Sequence, residues 1–278
     1  MKKRLKVLNL VIVVVLLVWT LFPIYWMISL SVRDQDELRS SIPLFPKSFT
    51  LSHFKRLFSE RDFAVAIWNS LQVTLISLTI SLILGLGVAY VLSRTRLRLR
   101  LRWAGTLQFW IFLVRVLPPI AFAVPLYLMM TQARLIQTKI PIISAHVLIN
   151  LTFIIWMMIT FFESLPIEME ESAMLDGATE RQVLIRIALP LVVPGIASVS
   201  ILSFMTSWNE YLYGVIFVQK PSNFTIPLVL ATMNSEQELA EYGLIAAGGI
   251  ISLLPVLIFV IFAQNYLISG LSSGAVKE

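Results

Sequence analysis

Six long apolar segments constrain this chain more than any other feature of its sequence. Each is long enough to cross the roughly 30 Å hydrocarbon core of a bilayer as a helix. Inside lipid every backbone N–H and C=O group needs a partner within the chain, so each segment must be helical. The sequence therefore predicts an all-α, polytopic membrane protein whose six transmembrane helices lie at about 7–32, 64–92, 103–130, 141–162, 191–218 and 242–271.

The shortage of charge supports this interpretation. Only 14% of the residues are charged and 58% are hydrophobic, whereas a soluble domain has about 25% charged residues, so a sizeable soluble domain is excluded. The chain has no cysteine, which rules out disulfides and thiolate metal sites. Its two histidines, His53 and His146, are too far apart in the sequence to suggest a metal cluster. We expect a single transmembrane domain over residues 1–278 without a bound metal.

Lysine and arginine mark the cytoplasmic side of membrane proteins. Four of them lie within the first six residues, and the segment 94–102 carries five arginines and no acid. The first apolar run exceeds the roughly 7–15 residues of a signal peptide and indicates an uncleaved span. The +6 net charge has the same topological explanation, so we expect no nucleic-acid partner. Both termini are predicted to be cytoplasmic, with the loop 163–190 and the tail 272–278, and the external loops are predicted at 33–63, 131–140 and 219–241.

Polar residues and prolines inside the spans are candidates for function. Arg115 lies in the third span just before Pro118 and Pro119, which interrupt helical hydrogen bonding. A charge inside the membrane is a functional-site hypothesis by default; the alternative is that Arg115 extends to the cytoplasmic interface. The broken helix is expected to face protein or a water-filled cavity, because lipid does not tolerate it.

The fifth span contains Trp208-Asn209-Glu210-Tyr211, whose side chains can hydrogen-bond to and stack on polar, ring-shaped ligands. These residues are expected either to contact a substrate directly or to form a structural or gating cluster near the outer interface. In the fourth span His146 and Asn150 lie one turn apart on one face, which favours a polar contact between helices.

The loop between the fourth and fifth spans contains unusually complete helix signals. Pro166 suits the first turn of a helix, Gly177 supplies the left-handed position at its end, and residues 179–182 form a capping box that starts a second helix. Leu189 precedes Pro190 and is expected to leave the helical region. Six acids outnumber two arginines in this loop, unlike in helices that rest on lipid, so we expect it to dock on a protein.

The same loop resembles the EAA motif of ABC importer permeases. Glu171-x-Ala173, then Gly177, then Ile187-x-Leu189-Pro190 match that motif in spacing, and Ser172 stands where the family usually has alanine. The prolines of the third span, the residues 208–210 and the C-terminal segment 270–277 are similar to the carbohydrate branch of the family. The chain most resembles the smaller permease subunit of maltose-type sugar importers.

This resemblance implies a type I importer permease fold in the cytoplasmic membrane of a bacterium or archaeon. A second, different permease subunit would share the translocation path. Two ATPase subunits would bind the cytoplasmic helix–Gly–helix loops and drive alternating access. The permease itself would bind no cofactor and catalyse no reaction; ATP and Mg²⁺ would be used by the ATPase, in line with the absence of a GxxxxGK[ST] phosphate loop. The residues implied at the ATPase contact are Glu170, Glu171, Ser172, Ala173, Leu175, Asp176, Gly177, Ala178, Ile187, Leu189 and Pro190.

An extracytoplasmic solute-binding protein would deliver sugar to the external face. A permease for a non-sugar solute such as a polyol or glycerol phosphate is an alternative interpretation. So are an ion-coupled secondary transporter, for which neither an ion site nor an internal repeat is visible, and a structural or signalling membrane protein. The implied binding-protein contacts are Ser222, Asn223, Asn234, Glu236 and Glu238. The candidates for the translocation path are Arg115, Pro118, Pro119, Asn150, Trp208, Asn209, Glu210 and Tyr211.

Overall fold

The computed structural model describes the backbone of residues 2–40, 42–94, 103–136, 138–235 and 241–275, and the side chains of 6–40, 42–94, 103–136, 138–233 and 241–261. Four helices are long and apolar enough to cross a membrane, and two bent helix pairs raise the number to six if each pair is one span. The chain forms two compact units, one of residues 1–66 with 228–255 and one of residues 67–227 with 256–278.

The first unit begins with three helices, α1 (Lys2–Ser31), α2 (Gln35–Ser40) and α3 (Ser52–Glu60). The predicted first span therefore agrees with α1. The segment predicted as an external loop at 33–63 is largely folded, because two of these helices lie within it.

Arg33 holds the connection between α1 and α3. Its side chain is fully buried and donates to Ser29 Oγ at 2.8 Å, to Glu37 Oε1 at 3.1 Å and to the Pro43 carbonyl. The Arg33 carbonyl accepts a hydrogen bond of 2.9 Å from His53 Nε2. A buried charge is stable only with partners of this kind, so these contacts fix the backbone that follows α1.

Two later helices, α12 (Ile226–Ser235) and α13 (Tyr242–Ala275), contribute to the same unit. A Cβ at Gly248 would lie 2.5 Å from Leu230 Cδ2, and one at Gly249 would lie 2.9 Å from Met27 Sδ, so the small residues of α13 allow close packing. Helix α13 passes the predicted end of the sixth span. The residues 272–275 are therefore helical rather than part of a separate tail, and 276–278 lie outside the described residues.

The second unit contains most of α4 (Phe63–Ser93), a helix of 31 residues. Helix α7 (Ile140–Glu163) is its centre, because α5 (Ala104–Val116), α6 (Ile120–Gln132) and α10 (Val193–Trp208) all pack against it. The apolar residues at these contacts are buried, among them Ala145, Ile154, Met158, Val199 and Phe204. This unit also contains α8 (Ile167–Leu175), α9 (Glu180–Leu191), α11 (Leu212–Phe217) and the part of α13 from residue 256 on.

The third span is two helices rather than one. Helices α5 and α6 are bent by 104° at the residues around Pro118 and Pro119. The Leu117 backbone is extended, with φ −67° and ψ 139°, because a residue before proline is pushed out of the helical region. The prolines predicted to kink this span thus turn the chain through more than a right angle.

The fifth span, predicted as one helix over 191–218, is also interrupted. Helix α10 ends at Trp208 and α11 begins at Leu212. Polar side chains take over the backbone groups at this break: Asn209 Nδ2 donates to the Met205 carbonyl at 2.9 Å, and Glu210 Oε1 accepts the Tyr213 amide at 2.8 Å. These side-chain bonds compete with the continuing helix, so the prediction of an unbroken span was wrong.

Candidate functional site

The loop between α7 and α10 folds as two helices joined at Gly177. Helix α8 ends in a Schellman motif: Gly177 has φ +92°, its amide donates to the Met174 carbonyl, and the Ala178 amide donates to the Ala173 carbonyl, both at 3.0 Å. No atom within 4 Å would meet a Cβ at Gly177. The glycine is therefore required by its backbone conformation rather than by space. Pro166 immediately precedes α8 instead of lying in its first turn.

Helix α9 begins at the predicted capping box. The Thr179 hydroxyl accepts from the Gln182 amide, and Gln182 Oε1 accepts from the Thr179 amide at 2.8 Å. The two reciprocal bonds satisfy amides that have no partner within the helix, so the start of α9 is set by local sequence.

The sequence had predicted that Leu189 leaves the helix before Pro190, and this prediction was wrong. Its backbone is helical, with φ −60° and ψ −46°, and its amide donates to the Leu184 carbonyl five residues back. Residues Leu184–Ala188 form a π-helical turn. This wider turn relieves the clash that a proline makes with the carbonyl four residues before it, so α9 continues through Pro190 to Leu191.

A shallow cavity of about 330 Å³ opens on the surface of this two-helix loop. Leu175 stands beside it at the end of α8 with 89% of its surface exposed. One exposed leucine is not in itself a mark of a binding surface, but its position at the end of α8 makes this side chain available for contact with another protein. The cavity is lined by Ala173, Asp176, Gly177, Ala178, Gln182, Arg186 and Ile187.

A buried ion pair ties the first helix of the loop to the end of α4. Glu170 is 1% exposed, and its Oε1 accepts from Arg94 Nε at 2.9 Å and from Arg94 Nη2 at 2.5 Å. Its Oε2 accepts from the Tyr90 hydroxyl at 2.9 Å. The Tyr90 ring packs edge-on against Phe162 at the end of α7. Both carboxylate oxygens are thus satisfied, and α8 is fixed to the end of α4, which itself packs on α7 through Tyr90; we call Tyr90, Arg94 and Glu170 the loop anchor.

Sequence reasoning missed the loop anchor. It counted Arg94 among the arginines that mark the cytoplasmic side, and Glu170 among the acids at the start of a helix and among the residues implied at the ATPase contact. The structure buries Glu170 in the ion pair instead of exposing it for such a contact. One signal in the sequence could have indicated the pairing of Arg94 with Glu170. Glu170 lies one turn after Pro166, on the face of α8 that meets the spans, whereas Glu171 lies on the exposed face. Residues 95–102, which carry the other four arginines, lie outside the described residues.

A second polar network joins the two broken spans through α7. His146 Nε2 lies 3.1 Å from Glu210 Oε2, and Asn150 Nδ2 donates to Ser207 Oγ at 2.8 Å. The Tyr213 hydroxyl donates to the Pro119 carbonyl at 2.7 Å. The expectation of a polar contact between helices at His146 and Asn150 is confirmed. Trp208 is buried and stacks on Phe204, whereas Asn209 and Tyr211 are exposed.

Arg115 lies in the last turn of α5 and opens onto a groove between α7 and α10. Its guanidinium carbon is 4.6 Å from the centre of the Phe153 ring and 5.6 Å from that of Trp156, within the range of cation–π contacts. The groove has a volume of about 340 Å³ and also contains Asn150. The structure therefore brings two of the predicted path residues, Arg115 and Asn150, into one groove.

Comparison with known proteins identifies the family of this chain. A family model described as "Binding-protein-dependent transport system inner membrane component" matches residues 81–272, which include the two-helix loop, the groove and both broken spans. The chain belongs to this family.

This transport-system component is similar to proteins of known name along nearly its whole length. It is 32% identical to the inner membrane ABC transporter permease protein YcjP of Escherichia coli K12 over 94% of this chain and 92% of that protein. It is 30% identical to DasC, the permease protein of a diacetylchitobiose uptake system of Streptomyces coelicolor, over 95% and 94%. These relatives make it a multi-pass membrane permease.

The fold has a counterpart among solved structures. One chain of a bacterial ABC transporter involved in the import of the acidic polysaccharide alginate superposes with a TM-score of 0.80 and 21% identity, over 95% of this chain and 96% of that one. This permease therefore has the type I importer permease fold predicted from its sequence.

The predicted binding-protein contacts of this permease are only partly described. Ser222 and Asn223 lie in a short 3₁₀ turn, Pro221–Asn223, which is tied to α4 because Asn69 Nδ2 donates to the Ser222 carbonyl at 2.9 Å. Asn234 belongs to α12, but its side chain lies outside the described residues, and so do Glu236 and Glu238 entirely.

Proposed function

We propose that this permease is the membrane subunit of an ATP-driven importer of saccharides that depends on an extracytoplasmic binding protein. The two-helix loop is the observation that carries the proposal. It combines the EAA spacing, a glycine at φ +92° and an exposed leucine on one capped element, and it belongs to a chain of the binding-protein-dependent family. The diacetylchitobiose and alginate named for similar proteins favour a saccharide as the substrate.

In this proposal the loop docks into a groove of an ATPase subunit on the cytoplasmic side. Both termini are cytoplasmic, as the positions of lysine and arginine predict. Leu175 and the residues around Gly177 enter the ATPase groove, with Glu171 and Asp176 at its rim. A second, different permease subunit completes the translocation path, and a second ATPase binds that subunit's loop.

ATP and Mg²⁺ are bound by the ATPase subunits in this proposal, and this chain performs no catalysis. The residues Pro118 and Pro119, with the stretch Trp208 to Tyr211, border the path at the two helix breaks. Backbone at membrane depth that is not helical is stable only against protein or a water-filled cavity. The binding protein contacts the external face around Ser222 and Asn223.

Two substitutions at one position test the role of the loop. Gly177→Val places a β-branched residue at a positive φ, which costs about 1–2 kcal/mol or more and reduces the population of the docking conformation about five- to thirtyfold. Gly177→Asn tolerates the left-handed backbone. Because nothing lies within 4 Å of the missing Cβ, the two variants differ in backbone preference rather than in packing.

The measurement is co-purification of the co-expressed ATPase, followed by its stimulation by substrate-loaded binding protein. We expect Gly177→Val to lose most of the stimulation and Gly177→Asn to keep most of it. Gly105→Val is the control, because Gly105 lies in α5 and its Cβ also has open space. Failure of the wild-type chain to recover any ATPase would refute the proposed function itself.

A further inference from the structure

The groove beside Arg115 contains an arginine whose donors are uncommitted. Among the described residues, the Arg115 side chain forms no hydrogen bond or ion pair, and its contacts are the faces of two aromatic rings. No acid is among the described residues that line the groove, so the charge they supply is positive. The other lining residues are Ile149, Asn150, Phe153, Leu202, Met205 and Thr206.

The groove lies near the middle of a spanning helix. Phe153 is 13 residues after Ile140, the start of α7, and 10 residues before Glu163, its end. At 1.5 Å per residue these separations correspond to about 20 Å and 15 Å. Arg115 packs on Phe153 at that depth, which argues against the alternative that its charge reaches the interface. A charge held at mid-depth is expensive unless it faces a water-filled cavity or a partner.

The backbone next to Arg115 indicates the same environment. Two residues after it the chain turns extended at Leu117, and α6 departs at 104°. An irregular segment at this depth is compatible with protein or water but not with lipid. Arg115 and the helix break together indicate that the groove is part of the water-filled path.

The groups in the groove match a saccharide that bears a negative charge. Arginine binds carboxylates through two parallel N–H donors. Asn150 is almost fully buried and donates Nδ2 to Ser207 Oγ. Thr206 is exposed and donates its hydroxyl to the Leu202 carbonyl, so its oxygen can still accept from a hydroxyl of a ligand. The volume of about 340 Å³ is at the lower end of ligand pockets, so it accommodates a segment of a ligand rather than a long chain.

We propose that this groove binds the anionic substituent of an acidic saccharide during translocation, with Arg115 as its anion-binding residue. The proposal rests on the proposed function, because the path exists only in an importer. In the resting chain the guanidinium lies on Phe153 and Trp156. An arriving carboxylate provides a charge-assisted partner that these rings cannot match.

Accessibility labelling tests the proposal directly, because the chain has no natural cysteine. Thr206→Cys introduces a single thiol into the groove of the complete importer, reconstituted in nanodiscs of zwitterionic lipid. Its rates of modification by anionic sulfonatoethyl and cationic trimethylammonioethyl methanethiosulfonate are read as mass shifts of this chain. Each rate is divided by that of a small free thiol.

We expect the anionic reagent to react about tenfold faster than the cationic one, since a positive cleft with low-dielectric walls raises the local concentration of anions by at least this factor. Adding Arg115→Gln should bring the ratio close to one, whereas Arg115→Lys should preserve it. Digalacturonate should slow the modification, and neutral galactobiose should do so much less. Gln132→Cys, at the exposed C-terminal end of α6, is the control, and its ratio of rates should not depend on Arg115.

A ratio that stays the same in Arg115→Gln, or equal protection by both disaccharides, would overturn the proposal. Thr206→Cys that reacts with neither reagent would do the same, because it would show that the groove is not water-filled. These outcomes differ from failure of the proposed function, since an importer that assembles and couples to its ATPase can still lack an anion site.

Discussion

Glu170→Gln should detach the first helix of the loop from the spans. The loop anchor holds α8 through one carboxylate, which accepts two hydrogen bonds from Arg94 and one from Tyr90. Glutamine keeps the size of the side chain but loses its charge, so the Arg94 guanidinium stays buried without a counter-charge. Arg94→Met produces the converse defect, a buried carboxylate with only the Tyr90 hydroxyl as a polar partner from the loop anchor.

The size of the effect follows from the burial of both partners. The side chains of Arg94 and Glu170 are 4% and 1% exposed, and breaking a buried ion pair from one side costs about 3–5 kcal/mol. At 1.36 kcal/mol per factor of ten, the detached form of α8 becomes about 150- to 5,000-fold more populated. The double variant Arg94→Met with Glu170→Leu removes both charges and should recover most of the stability, because apolar replacement of a buried pair is often neutral or stabilising.

Amide hydrogen exchange measures this population when opening is fast and reversible. The peptide 167–178 covers α8 and the hydrogen-bonded amides of its end, so its exchange should accelerate by the factor given above in each single variant. Glu171→Gln is the matched control. Glu171 is adjacent but exposed, and a surface substitution changes stability by no more than about 0.5 kcal/mol.

Equal exchange in Glu170→Gln and Glu171→Gln would refute the anchoring role. A double variant that exchanges as fast as either single variant would show that the ionic contact itself holds α8 in place. The effect of the single variants would then not come only from a buried charge left without a partner.

Two further predictions concern the folded segment after α1 and the packing of α4. The Ser48 hydroxyl, with the amides of Lys47 and Ser48 and the charge of Arg33, holds the pKa of Glu37 below its ordinary value of 4.5. A carboxylate whose pKa is lower in the folded than in the unfolded state stabilises the fold above its unfolded-state pKa, and this contribution is lost as the pH falls through its folded-state pKa. The amides of Lys47 and Ser48 should therefore lose exchange protection below about pH 4.5, and Glu37→Gln should remove this pH dependence. Equal protection at pH 3 and pH 6 in the wild type would contradict the prediction. In α4, a Cβ at Gly85 would lie 2.8 Å from Ile154 Cγ2, while one at Gly87 meets nothing within 4 Å. Gly85→Ala should therefore lower the thermal midpoint, and Gly87→Ala should raise it, because alanine is favoured over glycine in a helix by about 0.5–1 kcal/mol. A rise in both variants would show that the contact at Ile154 relaxes freely.

The features that were predictable from sequence are those set by nearby residues. Gly177 and the pair Thr179 and Gln182 act over three or four positions, so the end of α8 and the start of α9 could be assigned without a structure. The apolar runs of α1, α4 and α7 likewise define their own length. Each of these elements depends on local hydrogen bonding or on burial in lipid.

The failures have a different physical origin. Pro190 normally ends a helix, but the π-helical turn before it removes the clash, and no short sequence pattern indicates that turn. The stretch from Trp208 to Tyr211 was predicted to continue the helix, because its two polar residues lie between aromatic residues in an otherwise apolar segment. The competition of Asn209 and Glu210 for backbone groups depends on what the neighbouring helices present, and a single sequence does not contain that information.

The loop anchor could not be predicted for a third reason. Arg94 and Glu170 are 76 positions apart, and each had an adequate local explanation. Their pairing depends on the way α4, α7 and α8 meet. Arg115 differs, because its charge inside an apolar span already marked it in the sequence. Its contacts with the rings of Phe153 and Trp156 became evident only from the fold.

Because α9 runs through Pro190, the loop and the fifth span form a lever with two rigid arms that meet at an angle. One arm, Glu180–Leu191, has 12 residues and is about 18 Å long; the other arm is Val193–Trp208, set at 75° to it. Val192 alone joins them, with its φ at −97° and its ψ at 12°. With stiff arms, a lateral push of about 3 Å at the far end of the first arm corresponds to a turn of roughly 10° for an arm of this length. The second arm must follow through the same angle or strain a single residue. If the helix ended at Pro190, the backbone after it could change conformation, and the displacement of the loop would not be transmitted to α10.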